Sequence, residues 1–179
     1  MFSTTAYEGK LSCTVLRGGK GSNAFFLPDY ASCERVFQPK LDGQPIVILS
    51  NNDGCVIARS NEAKLLQVAM GAPYFKIERY VKQEGIAVFS SNYALYGDLS
   101  NRVMQVLSGF APQIEVYSID ECFLDFTGLN QDLTAYAGQI CQTVKQWTGI
   151  PISIGIAPTK TLAKLANRLA KKGYSAHGP

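Results

Sequence analysis

The chain has 179 residues, of which 46% are hydrophobic and 17% charged, and its formal net charge is +3. This composition excludes wholesale disorder and allows one sizeable domain, or one domain with a smaller insertion. The five cysteines are widely separated and form no C-x-x-C pair, which argues against a zinc finger or a disulfide framework. Because the chain start does not resemble a secretory signal and no stretch is long enough to span a bilayer, we expect a cytoplasmic protein with mostly buried cysteines.

The first half of the chain contains short elements separated by turn residues. Residues 1–24 are rich in glycine and show neither sustained alternation nor a helical period, so we expect an irregular N-terminal arm there. The elements predicted next are a two-turn helix in YASCERVF (30–37), a strand in QPIVILS (44–50), a turn in NNDG (51–54) followed by a strand in CVIA, and a short helix with an N-cap serine in SNEAKLLQV (60–68).

The second half is more regular. Its predicted elements are a strand in GIAVFS, a helix over 92–110, strands in QIEVYS and CFLDFTG, a helix over 132–149, a strand in PISIGIA and a helix from Thr159 to about Gly173. The order from 92 to 156 is therefore α-β-β-α-β. One more strand before the first helix would complete β-α-β-β-α-β, the split ferredoxin-like unit, and we predict an α+β fold of this kind.

Two adjacent carboxylates, Asp120 and Glu121, lie inside the strand-like run VYSIDECFLDF. At a hairpin turn the alternation of side chains breaks, so both carboxylates can approach one point. Like charges that close are unfavourable unless a cation neutralises them, and hard oxygen ligands of this type suit Mg²⁺. The alternative, a solvated turn in which both acids face water, is the more common role of such a pair taken alone.

Basic residues follow the last predicted strand. Lys160 and Lys164 lie one turn apart at the start of a helix, where exposed backbone N–H groups and two ammonium groups would bind an anion. Residues 160–179 contain five Lys or Arg and no acid, which indicates a basic surface. An acid pair that binds metal, together with cations that bind phosphate, is typical of phosphoryl transfer from a nucleotide. The alternative is an ordinary amphipathic helix with a solvated basic face.

Several long motifs in order resemble the Y-family translesion DNA polymerases, with the best match to the UmuC type, the catalytic subunit of DNA polymerase V. They are YASCERVFQPKLDGQPIVILSNNDGCVIARSNEAKLLQVAMGAPYFK, FSSNYALYGDLSNRVM, IEVYSIDECFLDFTG and IGIAPTKTLAKLAN, and they extend from about Tyr30 to about Gly173. The resemblance implies a ferredoxin-like palm formed by 25–29 and 90–179, with a small fingers insertion at 30–89. From the same resemblance we expect the thumb and little finger of the family to be absent from this chain.

The resemblance also implies roles for single residues. Asp120 and Glu121 would be the catalytic, Mg²⁺-binding carboxylates of the S-x-D-E motif. Tyr30 would pack under the sugar and exclude ribonucleotides. Three lysines (Lys64, Lys160 and Lys164) would contact the nucleotide, and three basic residues (Arg168, Lys171 and Lys172) would contact DNA. The implied partners are primer–template DNA and dNTP, with a UmuD-type regulatory subunit and RecA, during translesion synthesis and DNA repair in the SOS response.

One family motif is not matched. Family members carry D-x-N-x-F before Y-A-S-C-E, and its aspartate contacts both metals. Here the sequence is GSNAFFLPD, so either Phe25 or Gly21 occupies the aspartate position and Asp29 is the nearby carboxylate. We expect a degenerate first palm strand, weak metal binding and little polymerase activity unless Asp29 supplies the missing ligand. The alternative is a catalytically inactive remnant that acts only as a DNA- or protein-binding module.

Overall fold

A computed structural model describes residues 2–7, 11–16, 23–26 and 30–171. In chain order its elements are β1 (Phe2–Tyr7), β2 (Leu11–Leu16), β3 (Asn23–Phe26), α1 (Tyr30–Phe37), a 3₁₀ turn (Pro39–Leu41), β4 (Ile46–Leu49), β5 (Val56–Arg59), α2 (Asn61–Leu65), α3 (Tyr74–Gln83), β6 (Ala87–Ser90), α4 (Tyr93–Ser108), β7 (Gln113–Ser118), β8 (Glu121–Asp125), α5 (Leu133–Thr148), β9 (Ile154–Ala157) and α6 (Lys160–Lys171). They form two compact units, one of Met1–Pro28 with Leu99–Pro179 and one of Asp29–Asp98. None of the described helices is long and apolar enough to cross a bilayer.

The first unit, which we call the large unit, is built on one sheet with strand order β1-β2-β9-β3-β8-β7. Strand β3 lies between β8 and β9 and is antiparallel to both, and β7 and β8 form an antiparallel hairpin. The order β9-β3-β8-β7 is that of a β-α-β-β-α-β unit whose two helices are α4 and α5. The predicted ferredoxin-like α+β fold is confirmed, and β3 is the strand that the sequence pattern lacked.

The expectation of an irregular arm over residues 1–24 was wrong for the part of that segment that the structure describes, residues 2–7, 11–16 and 23–24. Strands β1 and β2 pair in register from Phe2 with Leu16 to Tyr7 with Leu11, and β2 continues the sheet by parallel pairing with β9. Threonine and valine in STTA and CTVL favour strands. The sequence does not show that β2 pairs with the outer edge of β9, because the two strands are about 140 residues apart. Strand β3 begins at Asn23, within the segment assigned to the arm, and ends at Phe26, whereas residues 27–29 lie outside the described ranges.

Helix α6 packs closely against β9. The approach is possible because Gly155 has no side chain: a Cβ there would lie 2.9 Å from Cα of Asn167 and closer still to backbone atoms of Ala163 and Asn167. Ala163 is fully buried beside Ala157 and Phe123. A glycine in the strand and an alanine in the helix thus bring α6, with its two lysines, onto the sheet near the β7–β8 hairpin.

The core of the large unit consists mainly of branched aliphatic side chains. Those that are buried completely or nearly so include Leu107, Leu124, Ile140, Ile150, Ile152, Ile154 and Ile156. Helix α5 begins at the Asp132 N-cap, whose side chain accepts from Thr134 N, and ends at Gly149 with φ 76°. This agrees with the predicted helix over 132–149, because both end signals are local to the sequence.

The second unit, which we call the small unit, contains a three-stranded sheet in the order β5-β4-β6. The predicted hairpin is present as antiparallel β4 and β5, and β6 pairs with β4 in parallel. Its core lies between this sheet and helices α2 and α3, and is formed by Val47, Leu49, Val56, Ala63, Val68, Val81 and Ile86. Ser60 N-caps α2 as predicted. Its hydroxyl oxygen also accepts a hydrogen bond of 3.0 Å from Ile46 N, which connects the start of the helix to the sheet.

Two features of the small unit differ from the prediction. Helix α2 ends at Leu65 rather than continuing to residue 68, because Gln67 has a left-handed backbone with φ 56°. Helix α3 was not predicted. The side of α3 that packs on the core carries partly buried Tyr74 and Ile77 and buried Val81, which follow a helical spacing. The spacing is hard to recognise in the sequence because aromatic and β-branched residues are also typical of strands.

Candidate active site

The acid pair lies where the β7–β8 hairpin turns. The register of the two strands slips between Val116 and Ser118, so the regular alternation of side chains is interrupted just before the carboxylates. Ser118 Oγ donates a hydrogen bond of 2.6 Å to Asp120 Oδ1, which fixes the first carboxylate at the turn. The expected break in alternation at this hairpin is therefore present.

Glu121 is paired with a lysine from α6. Lys164 Nζ lies 3.1 Å from Glu121 Oε2 and 4.5 Å from the ring centroid of Tyr117, which belongs to β7. The Glu121 side chain is only 18% exposed, so its charge is partly desolvated and benefits from the ammonium group. The structure thus brings together two predicted elements of the site, the acid pair and the second lysine of T-K-T-L-A-K.

Lys160 is held by a residue that sequence reasoning missed. Its ammonium group forms an ion pair with Glu115 of β7 and lies 5.3 Å from the ring centroid of Phe123. Helix α6 begins here because Thr159 Oγ1 accepts from Leu162 N at 3.3 Å. Both charged side chains are about half exposed, at 47% for Lys160 and 55% for Glu115, so the pair is weak. Alternation along β7 is the one signal that could have drawn attention to Glu115.

The donor set at the hairpin fits a hard divalent cation. Within the described ranges, no group of three or more His, Cys, Asp or Glu residues is placed to hold a metal ion. Asp120 and Glu121 supply oxygen ligands, and Mg²⁺ commonly binds one or two carboxylates while keeping water and accepting substrate phosphates. The neighbouring central strand carries Phe25, which pairs with Phe123 and Gly155 in the sheet and supplies no carboxylate. Gly21 and Asp29 lie outside the described residues.

The residues that follow the acid pair along β8 are more buried than Glu121 itself. Cys122, Phe123 and Leu124 are buried, whereas Glu121 is at the edge of the core. Burial raises the pKa of the Cys122 thiol to about 12, so it is a small apolar core residue rather than a ligand or nucleophile. Cys33 and Cys141 are also buried and Cys55 is partly exposed, and all four are free thiols.

Two predicted nucleotide contacts belong to the small unit. The ring of Tyr30, at the start of α1, stacks on the ring of Tyr96 with centroids 4.8 Å apart and planes 15° from parallel. Lys64 is exposed on α2, where its ammonium donates to Asn61 Oδ1 at 3.0 Å. The guanidinium of Arg59, the last residue of β5, donates to the backbone oxygen of Val68.

The predicted DNA contacts are described only in part. Arg168 is exposed on α6, four residues after Lys164. Lys171 is the last residue of that helix, and Lys172 lies outside the described residues. Their assignment to DNA stays a prediction.

Comparison with known proteins identifies the family. The model of the impB/mucB/samB family matches residues 25–168. The chain belongs to this family. It is 56% identical over 145 residues to "Protein UmuC" of Salmonella typhimurium (strain LT2), an alignment that covers 80% of this chain and 34% of that protein. The chain therefore spans about a third of the length of the curated relatives it matches.

Solved structures agree in fold. A Y-family DNA polymerase chimera of Dbh and Dpo4 superposes with a TM-score of 0.74 and 28% identity, covering 88% of this chain and 47% of the chimera. The insertion ternary complex of Dbh DNA polymerase gives a TM-score of 0.74 and 31% identity, covering 86% of this chain and 46% of that chain. The resemblance to the Y family that the motifs indicated is confirmed, and so is the similarity to the palm of these polymerases.

Proposed function

We propose that this chain supplies the palm and fingers of a Y-family DNA polymerase and takes part in template-directed nucleotidyl transfer during translesion synthesis and DNA repair in the SOS response. The observation that carries the proposal is the ion pair of Lys164 with Glu121 at the β7–β8 hairpin, next to Asp120, which Ser118 fixes at the turn. The palm would comprise residues 25–29 and 90–179 and the fingers 30–89, close to the division at Asp29 and Asp98 between the two compact units.

In this proposal Asp120 and Glu121 hold Mg²⁺ beside the triphosphate. The bound ion would neutralise negative charge on the phosphates and the attacking oxygen during in-line displacement. Lys164 would exchange Glu121 for a phosphate oxygen when the carboxylate turns to the cation. Lys160 would leave Glu115 for the triphosphate at small cost, because a half-exposed ion pair contributes at most about 1 kcal/mol.

The remaining assignments follow the family resemblance. Tyr30 would lie against the sugar of the incoming dNTP, and Lys64 would contact its phosphates. Arg168, Lys171 and Lys172 would contact the backbone of the primer–template, where each neutralised phosphate releases counterions. A UmuD-type regulatory subunit and RecA would be the protein partners.

The missing first carboxylate limits the activity expected of this chain. Two carboxylates provide fewer charged ligands than the three of the family motif, so cation affinity and turnover should both be low unless Asp29 contributes. The second candidate, a catalytically inactive module that binds DNA or protein, rests on this difference alone.

Metal binding and extension test the proposal separately. Titration of the chain with Mn²⁺, followed by electron paramagnetic resonance, measures the cation site directly. Asp120→Asn or Glu121→Gln should weaken binding at least about tenfold, since each removes a charged ligand. Asp125→Asn is the matched control, because that carboxylate is on the same strand but bonds Thr127. Equal affinities in all variants would contradict the metal site.

Primer extension with Mg²⁺ on undamaged and abasic templates then separates the two candidates. Extension that Asp120→Asn abolishes would support the polymerase. Cation and DNA binding without any extension would support the inactive module.

A further inference from the structure

Two residues of α1, Tyr30 and Glu34, contact Tyr96 near the start of α4, and all three residues belong to the small unit. The ring of Tyr96 stacks on Tyr30, and its hydroxyl donates a hydrogen bond of 2.8 Å to Glu34 Oε1. Tyr96 is 2% exposed and Glu34 is 7% exposed. Tyr30 and Glu34 lie four residues apart, so they project from one face of α1 and hold Tyr96 at its ring face and at its hydroxyl.

The energetics of this contact favour a fixed arrangement. A buried carboxylate is costly unless it is hydrogen-bonded, and the Tyr96 phenol satisfies one oxygen of Glu34. Burial, with the hydrogen bond to Glu34, raises the pKa of Tyr96, so the phenol stays a donor at physiological pH. Asn92 Oδ1 accepts from Leu95 N at 3.1 Å and fixes the first turn of α4, from which Tyr96 projects.

We propose that Tyr96 and Glu34 are positioning residues for Tyr30, and that they determine how strictly the site prefers a deoxyribonucleoside triphosphate to a ribonucleoside triphosphate. The inference rests on the proposed function, in which Tyr30 lies against the sugar. A ring excludes a 2′-hydroxyl only while it can neither rotate nor withdraw. The stacked Tyr96 ring blocks withdrawal of Tyr30, and the bond to Glu34 prevents Tyr96 from sliding along α1.

The two interactions can be removed separately. Tyr96→Phe keeps a ring for Tyr30 to stack on but leaves Glu34 without its phenol donor. Tyr96→Leu also removes the stack. Loss of one hydrogen bond corresponds to roughly a three- to tenfold change in an equilibrium, so we expect the preference for dATP over ATP to fall by about that factor in Tyr96→Phe. The fall in Tyr96→Leu should be larger.

Calorimetric titration of the chain with dATP and with ATP, in the presence of Mg²⁺, gives the ratio of the two dissociation constants. Glu34→Gln retains an accepting oxygen and should keep a ratio close to the wild type, whereas Glu34→Leu should resemble Tyr96→Phe. Tyr93→Phe is the matched control, because Tyr93 is on the same helix and 52% exposed. A purely structural role would weaken both nucleotides equally and leave the ratio unchanged.

The outcomes distinguish this inference from the proposed function. A wild-type chain that does not bind dATP overturns the proposed function, and the inference with it. A wild-type chain that prefers dATP, with the same ratio in Tyr96→Phe and Glu34→Leu, overturns the inference alone. Circular dichroism verifies that each variant is folded. If Tyr96→Leu does not fold, the dATP-to-ATP ratio of Tyr96→Phe decides the question.

Discussion

Replacing Gly155 with alanine should destabilise the large unit, because α6 lies directly over this position. The added Cβ would stand 2.9 Å from Cα of Asn167, whereas ordinary contacts begin at 3.4 Å, and it would be closer still to backbone atoms of Ala163 and Asn167. Since backbone atoms cannot rotate away, the helix must retreat by at least about 0.5 Å. Overpacking of this kind costs about 3 kcal/mol, which lowers Tm by roughly 6–12 °C in a chain of this length.

Differential scanning calorimetry measures the effect, and Gly138→Ala is the matched control. Gly138 lies inside α5, where an added Cβ would meet nothing within 4 Å. Alanine there should raise stability by about 0.5–1 kcal/mol, because glycine is a poor helix former. The two substitutions are chemically identical and should shift Tm in opposite directions. A Gly155→Ala protein as stable as the wild type would refute the close approach of α6 to β9.

Three further predictions concern titration and charge. Glu115→Gln releases Lys160 from its ion pair and should tighten the binding of dATP with Mg²⁺ by up to about fivefold in calorimetric titration. Unchanged affinity would show that the ion pair does not compete with the triphosphate for Lys160. Burial raises the pKa of Cys122 to about 12, so iodoacetamide at pH 8 should label partly exposed Cys55 much faster than Cys122. Equal labelling of the two cysteines in peptide mass spectra would contradict the burial of Cys122. The pKa of Tyr96 is raised from 10.0 by burial, so the unfolded chain loses this phenol proton at a lower pH than the folded chain does. The free energy of unfolding should therefore fall above pH 10. Urea midpoints measured between about pH 9 and 11 should show this fall, and Tyr96→Phe should remove the part of it that comes from Tyr96.

The elements that the sequence predicted well are those whose ends are marked locally. Helix α5 has an aspartate N-cap and a left-handed glycine at its end, and α1 occupies the predicted span from Tyr30 to Phe37. Strands β1 and β2 were missed because the hydrogen bonds that define them come from each other and from β9, far along the chain. Pairing between distant segments leaves little trace in the local pattern of either one.

The same distinction applies to the site. The acid pair could be found because two adjacent carboxylates in a strand-like run are conspicuous by themselves, and the lysines because they begin a helix. Glu115 was missed because its partner is 45 residues away, and the Tyr96 hydroxyl because Glu34 is 62 residues away. Tyr96 is buried on α4 together with Leu99 and Val103. A polar group on an apolar face shows its role only when its partner is known.

Two like charges can stand side by side at the β7–β8 hairpin because each has its own partner. Ser118 satisfies Asp120, and Lys164 neutralises Glu121, so the folded chain tolerates the acid pair without any cation. A cation that binds here must therefore compete with Lys164, and a phosphate that draws Lys164 away removes that competition. It follows that triphosphate and divalent cation should each strengthen the binding of the other. If Mn²⁺ affinity were the same with and without dATP, Lys164 could not be exchanging its carboxylate for phosphate.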